Sequence, residues 1–224
     1  MGGAIGDILP LAIGVAISPV PIIAVILMLF SGKARSNSLA FLFGWILGIA
    51  AVGVIALLLG NTADIGTSSG PARGAAAIRL ALGLLLLFGA FRQWRKRPGE
   101  GEEPQMPKWM AGIDAFNAVK SCGLAALLSG VNPKNLALVL AAAMTISQAG
   151  LNGAQPWIVL LVFVVIASLS VAIPVLTYVL AGEKAESTLT SWKTWLTANN
   201  AVVMAVLFLV FGFLLIGKGI GGLS

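Results

Sequence analysis

The residues able to do chemistry are few, and they gather at two interruptions of apolar sequence. One reads Ile17-Ser18-Pro19-Val20-Pro21 and the other Val131-Asn132-Pro133-Lys134-Asn135. Lys134 stands about fifteen residues into its apolar run, too deep for easy snorkelling. An ammonium at that depth costs at least ~2.5–3.5 kcal/mol on insertion scales, so something must offset it. The candidates are Asn132, Asn135, carbonyls released by Pro133, a neutral amine coupled to proton movement, or an anionic group on a ligand. Asp7 lies near the end of its run, and Asp64 and Asp114 fall in connections, so no acid matches Lys134 in depth. That imbalance favours an anionic ligand, with Ser18, Asn132 and Asn135 supplying neutral hydrogen bonds. Histidine is absent and Cys122 is the single cysteine. His-based triads, His-ligated metals, intramolecular disulfides and Cys-x-x-Cys redox pairs are thereby excluded. With no paired carboxylates at depth either, neither an enzyme nor a cofactor is expected.

The elements that must position these residues follow from composition. Of 224 residues, 58% are hydrophobic and 10% charged, with a mean hydropathy of +1.00. Soluble domains carry roughly 25% charge, so the surrounding solvent must be lipid. Six helices are predicted over 4–31, 37–60, 73–92, 119–147, 157–181 and 198–217, joined by connections rich in Gly, Pro, Ser, Asn or charge. Pro19 and Pro21 fall near the middle of the first, and Pro133 in the fourth. A proline inside a helix removes a backbone hydrogen bond and clashes with the preceding turn, at ~3 kcal/mol or more. In hydrocarbon the freed carbonyls are tolerated only where they are packed in protein or line a cavity. Each broken helix precedes two more spans. The chain therefore reads as an all-α integral membrane protein of two inverted three-helix repeats, 1–92 and 119–224, joined by a cytoplasmic loop at 93–118. Pro174, near Ser168, Ser170, Thr177 and Tyr178 in the fifth helix, predicts a third break facing the same cavity.

Charge asymmetry sets the orientation. Lys33, Arg35, Arg92, Arg95, Lys96, Arg97, Lys108, Lys120, Lys184 and Lys193 flank the odd connections, against Arg73, Arg79 and Lys218 on the other side. The odd loops are thus assigned to the cytoplasm and both termini to the outside of the cytoplasmic membrane. The net charge of +6 belongs to this topology and not to nucleic-acid binding. In the third loop the basic run Arg92 to Arg97 precedes an acidic stretch at 98–107 and then Trp109, Ile113 and Phe116 at helical spacing, which predicts a short interfacial helix. Trp192 and Trp195 around Lys193 read as a second interfacial anchor, and Asn199 and Asn200 as the cap of the last helix. Gly44 and Gly48 form a small-residue face beside Trp45, suited to close packing within the chain or in a homodimer.

At Ser18-Pro19-Val20-Pro21-Ile22 and Asn132-Pro133-Lys134-Asn135 the chain resembles the lysine exporter superfamily. Its members share two three-helix units, a Pro-bearing motif in the first helix and Asn-Pro-Lys opening the second unit. The closer resemblance is to the GAP, or peptidoglycolipid-addressing, family, which includes the sulfolipid-addressing proteins. It rests on the segment from Ala16 to Ile22, the Lys33-Ala34-Arg35 turn and Ala40-Phe41-Leu42-Phe43-Gly44-Trp45. The resemblance spans all six helices and implies an inner-membrane transporter for lipid-linked envelope components. The chain departs from the amino-acid-exporting branch in lacking Gly before Pro19 and in having few polar groups to hold a zwitterion.

These readings converge on a secondary transporter or flippase that moves an amphipathic, anionic lipid or glycolipid. Lys134 is expected as headgroup counter-charge and Pro19, Pro21, Pro133 and Pro174 as hinges. No ATP-binding loop of the Walker type is present, so energy must come from an ion gradient, from a partner, or from neither. The rival expectations are export of a small amino-acid-like metabolite and a non-transporting scaffold for envelope-lipid export.

Overall fold

The structure, a computed structural model, describes residues 1–62, 71–99 and 107–223. Asp64, the core of the second connection and most of the acidic stretch of the third loop lie outside the described residues. Within them the chain is all-helical, and no strand occurs. The α-helices are α1 Gly2–Ala16, α2 Pro19–Leu29, α3 Ala34–Thr62, α4 Pro71–Arg95, α5 Ala118–Gly130, α6 Pro133–Ser147, α7 Gln155–Ala181 and α8 Glu186–Gly221. Four of these, α3, α4, α7 and α8, are long and apolar enough to cross a membrane. The pairs α1/α2 and α5/α6 qualify only together, which gives up to six spans if each pair is one crossing. The protein is a multi-pass membrane protein.

The two bent pairs break where proline chemistry dictates. Pro19 and Pro133 each open a helix, where a missing N–H and a preset φ suit the first turn. The residue before a proline is driven out of the helical region. Ser18 is accordingly extended at φ −131°, ψ 96°, and Asn132 at φ −61°, ψ 123°. Two non-helical residues suffice to bend the axes by 54° between α1 and α2 and by 63° between α5 and α6.

Three sequence expectations need correction. The break expected at Pro174 does not occur, since α7 runs continuously through it. One missing backbone bond is less than the many remaining ones that hold α7 together on either side of Pro174. The last helix starts at Glu186 and not near 198, so Asn199 and Asn200 lie well inside α8 and cap nothing. Its polar first turns look like a loop by composition. Their polar side chains are accommodated on the helix surface, Ser191 Oγ donating to Ser187 O at 2.9 Å and, further along, Asn199 Nδ2 to Trp195 O at 2.8 Å. The chain reverses before α8 at Gly182, whose φ of 56° is readily adopted only by glycine. The short helix of the third loop is a 3-10 turn, Lys108–Ala115, that docks on protein. Met110 and Ile113 are buried in the common core, and Asn37 Nδ2 on α3 donates to Phe116 O at 3.0 Å.

α1 packs on α6 and α7, while α3 packs against α5 and α4 against α8. The core runs through Ile8, Leu11, Val15, Ile23, Trp45, Leu138 and Phe163, all fully buried or nearly so. Phe43, Leu59, Phe88, Leu161 and Leu180 face outward, as a lipid solvent allows.

Candidate functional site

The two breaks meet, and Lys134 joins them. Its side chain leaves the first turn of α6 with no surface exposed and reaches the C-terminal end of α1. There Nζ donates to Gly14 O at 2.6 Å, Ser18 Oγ at 2.7 Å and Ile17 O at 2.9 Å. Three donors meet three neutral oxygens, which exhausts the ammonium's hydrogen-bonding capacity.

Prolines free part of this helix end, and the turn at Ser18, whose N–H goes to Ala16 O, frees Gly14 O. A helical carbonyl normally accepts from the N–H four residues on. For Val15 and Ile17 that residue is Pro19 or Pro21, which has no N–H. The accounting nonetheless closes. Ile17 O and Gly14 O accept from Lys134, Val15 O accepts from Ser18 Oγ at 2.8 Å, and Ala16 O accepts from Ser18 N at 2.8 Å. Ser18 Oγ both accepts from Lys134 and donates to Val15, and lies 3.4 Å from Asn135 Oδ1. The cation also sits at the negative end of the α1 dipole. Asn135 ties the second break down by donating from Nδ2 to Leu128 O at 3.2 Å. Asn132 caps α6, its Oδ1 accepting from Lys134 N at 3.0 Å. Asn132→Ala should therefore lower stability by about 1 kcal/mol, read as a fall of about 2–4 °C in a thermal melt of the detergent-purified protein.

Ser18, Pro19, Pro21, Asn132, Pro133, Lys134 and Asn135 thus form one junction, and Pro174 stands apart from it. Of the candidates the sequence offers, carbonyls released by Pro133 are not the ones used: those that meet Lys134 come from the α1 break. The cation is fully coordinated by protein, so an anion can reach it only by displacing one of these bonds. Pro174 instead lines an apolar groove of about 320 Å³ between α2, α7 and α8, with Ile22, Ser170, Ile173, Trp192, Trp195 and Leu196. Ile22 lies one turn past the break, its N–H bonding to Ser18 O at 3.4 Å. The hydroxyl of Ser170 is buried with no partner. Composition marks Trp192 and Trp195 as anchors only; their spacing with Leu196 on one helical face is the signal for a groove wall. Trp45 is fully buried and fixes α3 to α7 by donating from Nε1 to Ala167 O at 3.3 Å.

No curated protein and no solved structure was found to match the chain. The family model described as Sap, sulfolipid-1-addressing protein, does match, over residues 8–221. That range takes in both broken pairs, the Lys134 junction and the groove, and so the chain belongs to the sulfolipid-1-addressing protein family.

Proposed function

We propose that this protein moves an amphipathic, anionic lipid or glycolipid across the cytoplasmic membrane as a secondary transporter or flippase, with no enzymatic step. In this reading each bent pair is one span. The six spans form two inverted repeats, and the termini face away from the cytoplasm. The observation that carries it is the junction in which a fully buried ammonium holds two interrupted helices together through neutral oxygens alone.

Magnitudes favour exchange at that junction. At 4 Å and an effective dielectric near 20, an anionic oxygen gains about 4 kcal/mol from the ammonium. Leaving one backbone carbonyl without a partner costs about 1–3 kcal/mol. A sulfate or phosphate headgroup therefore competes with Gly14 O or Ile17 O for Lys134, and in displacing them it unpins α1 from α6. Release of that pin lets one repeat rock against the other about the proline breaks. The acyl tails remain in the bilayer and in the groove lined by Trp192, Trp195 and Pro174, so few buried polar groups are required. The family's name, with its reference to a sulfolipid, supports an anionic lipid as cargo.

The test is transbilayer movement of a fluorescent sulfated glycolipid in proteoliposomes. Its rate should rise well above that in protein-free vesicles. A zwitterionic phosphatidylcholine analogue should gain less. No acceleration of either lipid, together with protein-dependent uptake of a free amino acid, would overturn the reading in favour of small-solute export.

A further inference from the structure

A second cation is buried in the bundle, far from the junction. Arg79 on α4 has 8% of its surface exposed, and its side chain lies against the end of α6. Its Nη2 donates to Gln148 Oε1 at 2.8 Å, a neutral partner. Its Nε is buried with nothing to donate to, and the hydroxyl of Ser147, beside Gln148, is likewise buried and unpartnered. No carboxylate pairs with Arg79 among the described residues.

Packing alone gives no reason for this arrangement. Membrane arginines ordinarily pair with acids or snorkel to water, because a desolvated guanidinium is expensive unless its charge and donors are met. Among the described residues Arg79 does neither: one amide oxygen is held, and its idle Nε–H fits the fork geometry of sulfate or phosphate oxygens. The negative end of the α6 dipole holds the cation in place without neutralising it. Its position is equally telling. Lys134 occupies the first turn of α6 and Gln148 its C-cap, so α6 separates their backbone positions by about 21 Å, enough to run from mid-depth to one face of a ~30 Å hydrocarbon layer.

We propose that Arg79 is a second station for an anionic headgroup of the sulfate or phosphate class, at the end of α6 remote from Lys134. The proposal rests on the lipid-transport reading and adds to it a receiving site between the mid-depth junction and one face of the hydrophobic layer. The guanidinium takes the headgroup through its idle Nε–H and a neighbouring N–H.

The experiment compares wild type, Arg79→Gln, Arg79→Lys and Gln148→Ala in nanodiscs of phosphatidylcholine doped with phosphatidylglycerol. Lipid retained through delipidation is read by native mass spectrometry, and the flux of the sulfated glycolipid is measured in parallel. Loss of a charge-assisted contact should lower phosphatidylglycerol retention about tenfold in Arg79→Gln. Arg79→Lys should keep part of it, and Gln148→Ala, which frees the guanidinium, should keep all of it or bind more. Equal retention in wild type and Arg79→Gln overturns the proposal. So does loss in Gln148→Ala matching that in Arg79→Gln, since that marks a purely structural pair. If inorganic sulfate alone displaces phosphatidylglycerol at equal concentration, the site takes free anion and the lipid assignment falls. Should Arg79→Gln fail to fold, Gln148→Ala decides by itself against wild type: retention kept or raised supports the site, and retention lost overturns it. Absence of flux in wild type with Arg79-dependent retention intact sinks the transport reading and leaves the anion site. Flux in wild type that is unchanged in Arg79→Gln, with retention also unchanged, sinks the second station alone.

Discussion

Lys134→Met should reduce lipid flux at least about tenfold and destabilise the fold at the same time. The substitution keeps the length and apolar stem of the side chain and removes only the ammonium. Gly14 O and Ile17 O then have no donor, because the residues that would supply one are Ser18, whose N–H is spent on Ala16 O, and Pro21, which has none. Two buried carbonyls left unpaired cost about 1–3 kcal/mol each. That loss should appear as a lower melting temperature whether or not the protein transports anything, and flux separates the two roles. If the ammonium were only a structural pin, a restored stability, for example at lower temperature or with added lipid, would restore flux as well. If it also receives the headgroup, flux stays low in fully folded protein. Lys134→Arg sharpens the distinction: its charge is retained, but a planar fork replaces three tetrahedral donors and fits three converging oxygens poorly. Wild-type flux in folded Lys134→Met would remove the proposed role of this residue.

Gly44→Leu should give little monodisperse protein, whereas Gly123→Ala, on the helix facing it, should be neutral or raise the melting temperature. α3 and α5 approach so closely at Gly44 that a Cβ there would collide with the carbonyl of Cys122, its carbon and Cα standing 2.8 Å away. One turn on, a Cβ at Gly48 would lie 2.7 Å from Ala126 O and 3.1 Å from Ala126 Cα. Backbone cannot rotate aside as a side chain can, so a larger residue must drive the helices apart. Overpacking of ordinary cores costs typically ~1–3 kcal/mol, and a clash against main chain lies at the upper end. Nothing stands within 4 Å of a Cβ at Gly123, so alanine there brings only the gain in helix propensity, about 0.5–1 kcal/mol. The comparison is read by size-exclusion profile and thermal melt. Its meaning extends to the junction, because α5 leads directly into the break at Asn132 and Pro133. A small-residue face that composition leaves open to dimer or monomer use is thus consumed inside one chain.

Much of the architecture is legible in one dimension because lipid as a solvent imposes strict rules. Apolar length predicts the helices at 37–60, 73–92 and 157–181 to within a few residues of α3, α4 and α7. Proline predicts the breaks at Pro19 and Pro133, since a missing N–H is a local property of the residue. The same rule fails at Pro174, through which α7 continues, and hydropathy fails at 186–197, where polar side chains sit comfortably on a helix that extends beyond the apolar layer. At 36 residues α8 is about 54 Å long, more than a bilayer requires.

By itself the sequence determined the solvent, the helical class, the two interrupted helices and the presence of one cation too deep to reach water. These follow from residue types and from spacings within a single helix, where each hydrogen bond joins residues four apart. What holds that cation was decided only by tertiary structure. Lys134 and Ile17 are 117 positions apart, and a lone pair freed by Pro21 carries no mark of which distant donor will find it. The same holds for Arg79 and Gln148, 69 positions apart, whose burial turns a charge read as part of the topology into a cation with no carboxylate partner among the described residues. Backbone accounting predicts that orphaned carbonyls need a partner; only the packing of α1 on α6 says that the partner is a lysine.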